Sequence, residues 1–444
     1  ILSIKRLNCA RCYWESVFKI NPLNDSFGYF VGQGFLVRTN NGWKTFDSGH
    51  IFDISPNSTM NYTSVYYAGD PKISFAPDGR FLLLSLIALM KNYNEDNQHV
   101  YSGGIYSENE LLNINSKLNL TILKDIPENL NTTARSLIFD YPKIAVDTYL
   151  NSPYFKTTYV FANGVYFPEI NQEGTGFYKI RNDTITEIRA NTIGFTQPPR
   201  SSIIGYGGII YIANPWYSYL YLYRSTDGGN SFSEHIIHQD NTANYNNIAR
   251  TSNTSNVGWF IYQGPELAID SLGRLYAMWA LPENIIEDEN FEYGGYGNNF
   301  NVYLAYSDDT GITWSQPVKI NDDIGNGDQG FPSIAIDENN NIYVAFLDHR
   351  NNQELPVYDV YAAVSYDRGN SFSRNIQVND ITLPNLLGHR NPGDYLDMIA
   401  VSKDKVFISH PCINLTSGNT YELAANDACI AIINKSTFAI LPPQ

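Results

Sequence analysis

The stretch RSTDGGNSFSEH, residues 224–235, decides the fold, because the chain writes it more than once. It reads as the end of one strand, an Asp-Gly-Gly turn, an aromatic residue and the start of another strand. YSDDTGITWSQP from Tyr306 and VSYDRGNSFSRN from Val364 repeat the pattern. The shared frame is Ser225, Asp227, Gly229, Ser231 and Phe232; then Ser307, Asp309, Gly311, Thr313 and Trp314; then Ser365, Asp367, Gly369, Ser371 and Phe372. Asp can accept the backbone N–H groups of its own turn. Gly takes a positive φ without steric cost. The aromatic supplies area to bury between neighbouring sheets. Thr39, Asn41, Thr45 and Phe46 form a degenerate fourth copy.

A second unit precedes each hairpin: a short apolar strand, a turn rich in Asp, Asn and Gly, and another apolar strand. FPSIAIDENNNIYVAF from Phe331 and GPELAIDSLGRLYAMW from Gly264 are clear examples. Marking each copy at Ser16, Pro71, Pro142, Ser201, Pro265, Pro332 and Asp397 gives seven units at about 63-residue spacing. Four strands per unit, repeated along the chain, predict an all-β, seven-bladed β-propeller of antiparallel blades. The alternative is six blades plus an N-terminal extension. One propeller domain over 1–444 is expected, with blades near 15–50, 70–125, 141–190, 200–238, 264–320, 331–379 and 394–440. In the last blade CIAIINKSTFAI is expected to supply two strands around a turn.

The repeated turn resembles the BNR/Asp-box repeat of sialidase-like propellers. NDDIGNGDQGFPSIAID, residues 321–337, and GDYLDMIAV, residues 393–401, look like blade joints of secreted bacterial and archaeal members. The resemblance implies that the turns lie on the rim opposite the ligand face, as architecture. It also implies three substrate arginines, the first in an Arg-Ile-Pro motif. No such motif occurs, the nearest being Lys5-Arg6-Leu7-Asn8. The expected relative is therefore a non-sialidase, and an enzymatic role is disfavoured.

Net charge is −16, from 29 Lys and Arg against 45 Asp and Glu. That balance argues against nucleic acid as a partner. The longest apolar run, residues 81–90, falls short of the ~20 residues that cross a bilayer and reads as a buried strand. The chain starts at Ile1, which fits a removed signal peptide or a chosen boundary. Cys9, Cys12, Cys412 and Cys429 allow three pairings in an oxidising compartment. N-glycosylation acceptors occur at Asn24, Asn57, Asn61, Asn119, Asn131, Asn182, Asn253, Asn414 and Asn434. Together these favour an extracellular or cell-surface protein, and the Tyr- and Asn-rich composition resembles archaeal surface proteins.

A glycosidase needs two facing carboxylates, about 5–10 Å apart. By position the candidates are Asp70, Glu266, Asp348 and Asp394, beside Asp328. Arg200 and Arg350 are placed to bind an anionic group. Asp348-His349-Arg350 reads first as a structural corner, an Asp–Arg pair pinning the loop with His349 at the surface, and second as part of a site. Two loops, residues 281–300 and 214–221, offer Tyr293, Tyr296, Trp216 and Tyr217 for stacking on a ligand. Hard cations such as Ca²⁺ suit such carboxylates, but no Asp-x-Asp-x-Asp loop occurs, so no cofactor is expected. The leading expectation is a propeller that binds a glycan or protein partner over its channel, or self-assembles in an envelope or filament. The alternative is a glycoside hydrolase or lyase of sialidase-like type.

Overall fold

The computed structural model describes residues 3–7, 16–32, 35–50, 64–93, 96–108, 118–123, 140–167, 172–182, 184–193, 201–216, 218–240, 264–287, 295–325, 327–351, 357–380, 382–384, 396–412 and 427–439. It forms seven antiparallel sheets, each built on four strands, a seven-bladed β-propeller, with one short α-helix at Lys435–Ala439. Sheet one comprises Val17–Ile20, Gly28–Gly32, Phe35–Thr39 and Asp47–His50. Sheet two comprises Ser64–Phe75, Phe81–Tyr93, Asp96–Glu108 and Leu118–Ile122. Sheet three comprises Asp140–Val146, Thr158–Phe167, Gln172–Arg181 and Thr184–Arg189. Sheet four comprises Ser201–Ile204, Ile210–Trp216, Tyr219–Ser225 and Ser233–Gln239. Sheet five comprises Glu266–Ile269, Leu275–Glu287, Gly295–Ser307 and Val318–Lys319. Sheet six comprises Gln329–Ile336, Ile342–Asp348, Val357–Ser365 and Ile376–Gln377, with the two-residue strand Leu383–Pro384 as a fifth, also paired to Val357–Ser365.

Sheet seven departs from expectation. Ile399–Val401, Lys405–Cys412 and Asp427–Asn434 supply three strands, and the fourth is Ser3–Arg6 from the other end of the chain. Residues after Asn434 turn into the helix instead of a strand. There Lys435 meets Asp337 and the Phe438 ring packs edge-on against Tyr343. Those tertiary contacts outweigh a local strand preference. A second link between the chain ends joins Phe18 N–H to the Asp397 carbonyl at 3.0 Å.

By packing, the chain divides into two compact units. One holds Ile1–Phe18, Ala213–Leu222 and Glu234–Gln444; the other holds Lys19–Ile212 and Tyr223–Ser233. In the second, an apolar core joins sheets two and three through Leu84, Ile105, Ile144, Val160 and Tyr178. The Tyr29 ring of sheet one stacks on Phe81 of sheet two at 4.4 Å, a pair worth about 1 kcal/mol beyond its buried area. In the first, Trp279, Leu304, Val344 and Phe346 are fully buried in sheets five and six.

The marker prolines have a structural cause. Pro71, Pro142 and Pro332 lie inside register breaks of the first strand, between Gly69 and Lys72, Asp140 and Lys143, and Gly330 and Ser333. Proline donates no ladder hydrogen bond, so it fits at a bulge. The residues before Pro71 and Pro332, Asp70 and Phe331, take positive φ of 50° and 54°.

The three Asp turns are near-identical. Asp227 Oδ1 accepts from Ser225 Oγ at 2.8 Å, Asn230 N at 2.9 Å and Ser231 N at 3.0 Å, and its Oδ2 accepts from Ser231 Oγ at 2.6 Å. Asp309 and Asp367 make the same four bonds. Each turn glycine has positive φ and donates its N–H to the first serine at 2.8 Å. A Cβ on Gly229 would lie 2.5 Å from the Phe177 ring of the preceding sheet. Glycine therefore serves close sheet approach as well as turn geometry. The degenerate copy keeps the logic: Asn41 Oδ1 accepts from Thr45 N, and Trp43 holds the glycine's place at φ 66°.

Candidate functional site

One hydrogen-bonded group of polar residues lies at the ends of sheets five and six away from the Asp turns. Antiparallel register sets Gln329 beside Asp348, and Asp348 beside Asp359. Asp348 ends its strand with a side chain that is 0% exposed. It accepts Arg350 N at 2.7 Å and Arg350 Nε at 2.9 Å. Burial pushes the Asp348 carboxyl up, and the Arg350 guanidinium opposes that shift.

Arg350 is committed elsewhere too. It reaches Asp322 Oδ1 at 2.5 Å and Asn375 Oδ1 at 2.8 Å, and it lies 4.1 Å from the Tyr361 ring centre. Asp359 accepts from Asn351 at 2.7 Å and Asn379 at 2.8 Å. In sheet five Glu283 accepts from Asn299 at 2.6 Å and Asn301 at 3.0 Å. Asn321 Nδ2 lies within hydrogen-bond distance of Asn301, Asp323 and Gln329. Chemically the array binds its own carboxylates tightly. An acid–base pair would need a carboxyl able to face substrate.

The structure brings Asp348 and Arg350 together, as an ion pair. His349, expected at the surface, is 7% exposed, because its N–H bonds the Asp328 carbonyl and turns the chain inward. Burial lowers its pKa to about 3, so the ring is neutral. Glu266 opens the first strand of sheet five opposite Met278 and is half-buried. Asp70 is half-buried in the sheet-two bulge. Asp394, Arg200, Tyr217 and Tyr293 lie outside the described residues.

Both expected loops are mostly strand. Leu281 pairs with Asn301 and the ladder runs on to Glu287 with Gly295, so much of 281–300 is an extended hairpin carrying Tyr296. There the backbone N–H and C=O groups pair across the two strands of a ladder, where a loop was expected. Trp216 ends one strand of sheet four and Tyr219 begins the next. Cys412 and Cys429 form a disulfide across adjacent strands, Cα–Cα 5.7 Å; Cys9 and Cys12 lie outside the described residues. Asn182 is exposed in a turn, Asn24 and Asn434 are half-buried, and Asn119 lies in a strand. Asn57, Asn61, Asn131, Asn253 and Asn414 lie outside the described residues. Among the described residues no group of three or more His, Cys, Asp or Glu could hold a metal ion, and no helix is long and apolar enough to cross a membrane.

The asparagine array was missed in sequence, though it carries a signal. Residues 318–322 read VKIND and 376–380 read IQVND. In each, the apolar residue is buried and the Asn accepts a backbone N–H of the third strand, Asn321 from Val302 and Asn379 from Val360.

No family model matches the chain. No curated protein matches it. Among solved structures, an ulvan lyase described as a new family of polysaccharide lyase, bound to -[GlcA(1-4)Rha3S]-, is 9% identical, with 98% of this chain and 96% of that chain covered and a TM-score of 0.53. A second structure of an ulvan lyase is 9% identical over 96% of each chain, TM-score 0.50. YCF48 bound to D1 peptide is 11% identical over 97% of this chain and 94% of that chain, TM-score 0.43. At such identities the likeness is one of fold: this chain is similar to β-propellers.

Proposed function

We propose that the chain is an Asp-box propeller of non-sialidase type that works outside the cell, binding a glycan or protein partner without breaking bonds. The observation that carries this is the use of the carboxylates. Asp348, Asp359 and Glu283 are each held by Arg or Asn side chains of the same scaffold. A catalytic carboxyl has to exchange a proton with a ligand, and a group bonded on both oxygens by its own fold is poorly placed for that. The Cys412–Cys429 bridge supports an oxidising compartment. Partner contact is assigned to Trp216, Tyr217, Tyr293 and Tyr296, with Arg200 as an anion contact; Arg350 is assigned to the scaffold.

A second reading, a hydrolase or lyase, draws support from the raised pKa of Asp348, a property of general acids, and leaves Asp70, Glu266 and Asp394 as its other carboxyls. One experiment separates the two. The purified chain is run through gels containing ulvan, alginate, pectin or dextran, and the same mixtures are assayed for new reducing ends and unsaturated uronates. Retention without products is expected. Product release that Glu266→Gln or Asp348→Asn abolishes would establish the enzyme instead.

A further inference from the structure

Beside the Asp turn of sheet four lies a cavity of about 400 Å³ that none of the roles above uses. One wall is the outer hairpin of sheet three, where Lys179 pairs with Thr186 and Arg181 with Thr184. All four line the cavity, so one hairpin face presents two cations and two hydroxyls. The opposite wall is Tyr154, with Gly228 and Asn230 of the sheet-four turn. That wall is closely fitted, since a Cβ on Gly228 would lie 2.3 Å from the Tyr154 ring.

Two features suit the cavity to a polar, anionic ligand. Among the described residues neither cation is paired with a carboxylate: Lys179 Nζ bonds Asn230 Oδ1 at 2.6 Å, and Arg181 Nη2 bonds the Pro153 carbonyl at 3.1 Å. Deeper in, Thr157 and Tyr159 are 3% and 0% exposed; their hydroxyls lie near enough to interact with each other, and neither has a further hydrogen-bond partner among the described residues. Buried polar atoms short of partners are costly, and a cavity lined by them is filled by water or a ligand.

We infer that this cavity binds a monosaccharide-sized ligand bearing a carboxylate or sulfate. Arg181 and Lys179 would bracket the oxyanion. The Thr, Asn and Tyr groups would meet sugar hydroxyls, and the Tyr154 ring offers an apolar face. The volume falls at the small end of typical ligand pockets, about 300–1,000 Å³, and far exceeds what a bare inorganic anion fills. Burial lowers the Lys179 pKa against the field of Asp227, and a bound anion would act in the same direction as Asp227, favouring the charged ammonium. The inference does not depend on the loops that the proposed function uses.

The test is ligand-observed NMR titration of the full chain, made without N-glycosylation because Asn182 borders the cavity. The probes are glucuronic acid, a sulfated glucose, glucose and sodium sulfate. Saturable binding of the two charged sugars is expected, with glucose and sodium sulfate at least about tenfold weaker, equivalent to about 1.4 kcal/mol. Arg181→Gln and Lys179→Gln should each weaken glucuronic acid about tenfold. No saturable binding of either charged sugar, equal binding of bare sulfate, or unchanged affinity in both variants would overturn the inference. Polysaccharide retention by the same variants is read separately, so failure here leaves the proposed function standing or falling on its own assay.

Discussion

Arg368, in the Asp turn of sheet six, pairs with Asp270, in the first hairpin of sheet five, at 2.6 Å across 98 residues of sequence. One repeat later Lys435 pairs with Asp337 at 2.8 Å, again across 98 residues. Both carboxylate side chains are 0% exposed. Each carboxyl also caps its own hairpin, Asp270 from Arg274 N and Asp337 from Asn341 N. The same device thus ties successive sheets, with Lys replacing Arg where the turn has become a helix.

Removing one partner of such a pair leaves a buried charge, so Asp337→Ala and Arg368→Gln should each cost about 2–3 kcal/mol. Urea midpoints with unchanged m-values would report it. A double variant Asp270→Asn with Arg368→Gln should cost less than the sum of the two. Strict additivity would mean that the pair does not couple the sheets.

The turn glycines should differ in a defined order. Gly229→Ala meets an aromatic ring at 2.5 Å, whereas Gly369→Ala first meets the flexible end of Leu304 at 3.0 Å. Both also suffer at positive φ. We expect about 3 kcal/mol for the first and about 1–2 for the second, by thermal unfolding. Asp309→Ala, which removes four hydrogen bonds at an exposed turn, should cost about 1–2 kcal/mol and leave ligand retention intact.

Acid should destabilise in two stages. Burial lowers the pKa of His349 to about 3 and of His410 to about 4, from 6.5. The unfolded chain therefore takes up protons first, and stability falls as pH drops below about 6.5. Asp227 and Asp309 come next. Burial pushes them up, but the hydrogen bonds of Ser231 and Thr313 outweigh it and hold both at about 2. Their contribution is intact above 3.8 and is lost as pH falls towards 2. Unfolding midpoints measured from pH 7 to pH 2 should fall throughout, and His349→Gln should flatten the upper limb. A midpoint flat between pH 6.5 and 4 would contradict the buried, neutral histidines.

The Cys412–Cys429 bridge closes a 17-residue separation between neighbouring strands. Cys412→Ala with Cys429→Ala should lower stability by about 3 kcal/mol. Calorimetry of the double variant checks this.

The Asp turns were legible because their chemistry is local: an acceptor, a positive φ and an aromatic at fixed spacing. The prolines at bulges were legible as markers for the same reason. The fourth strand of sheet seven was not, because Ser3–Arg6 finds Cys429 to Ile432 only through closure of the whole chain. Lys435 to Ala439 looked like strand, and became helix through contacts with Asp337 and Tyr343. At the candidate site, Asp348 and Arg350 could be named from position. Their engagement with Asp322, Asn375 and Gln329 depends on side chains from several strands and linkers, which no spacing rule reveals. The cavity at Lys179 escaped notice because its walls come from two different sheets.

The most direct test of whether the polar ends of sheets five and six are scaffold is Asp348→Asn, measured in parallel for thermal unfolding and for polysaccharide retention. The change leaves Arg350 short of its buried partner, so a loss of about 3 kcal/mol in stability is expected, with retention per folded molecule unchanged. An unchanged melting temperature together with lost retention, or with lost turnover of a polysaccharide, would contradict it and move Asp348 from the frame to the chemistry.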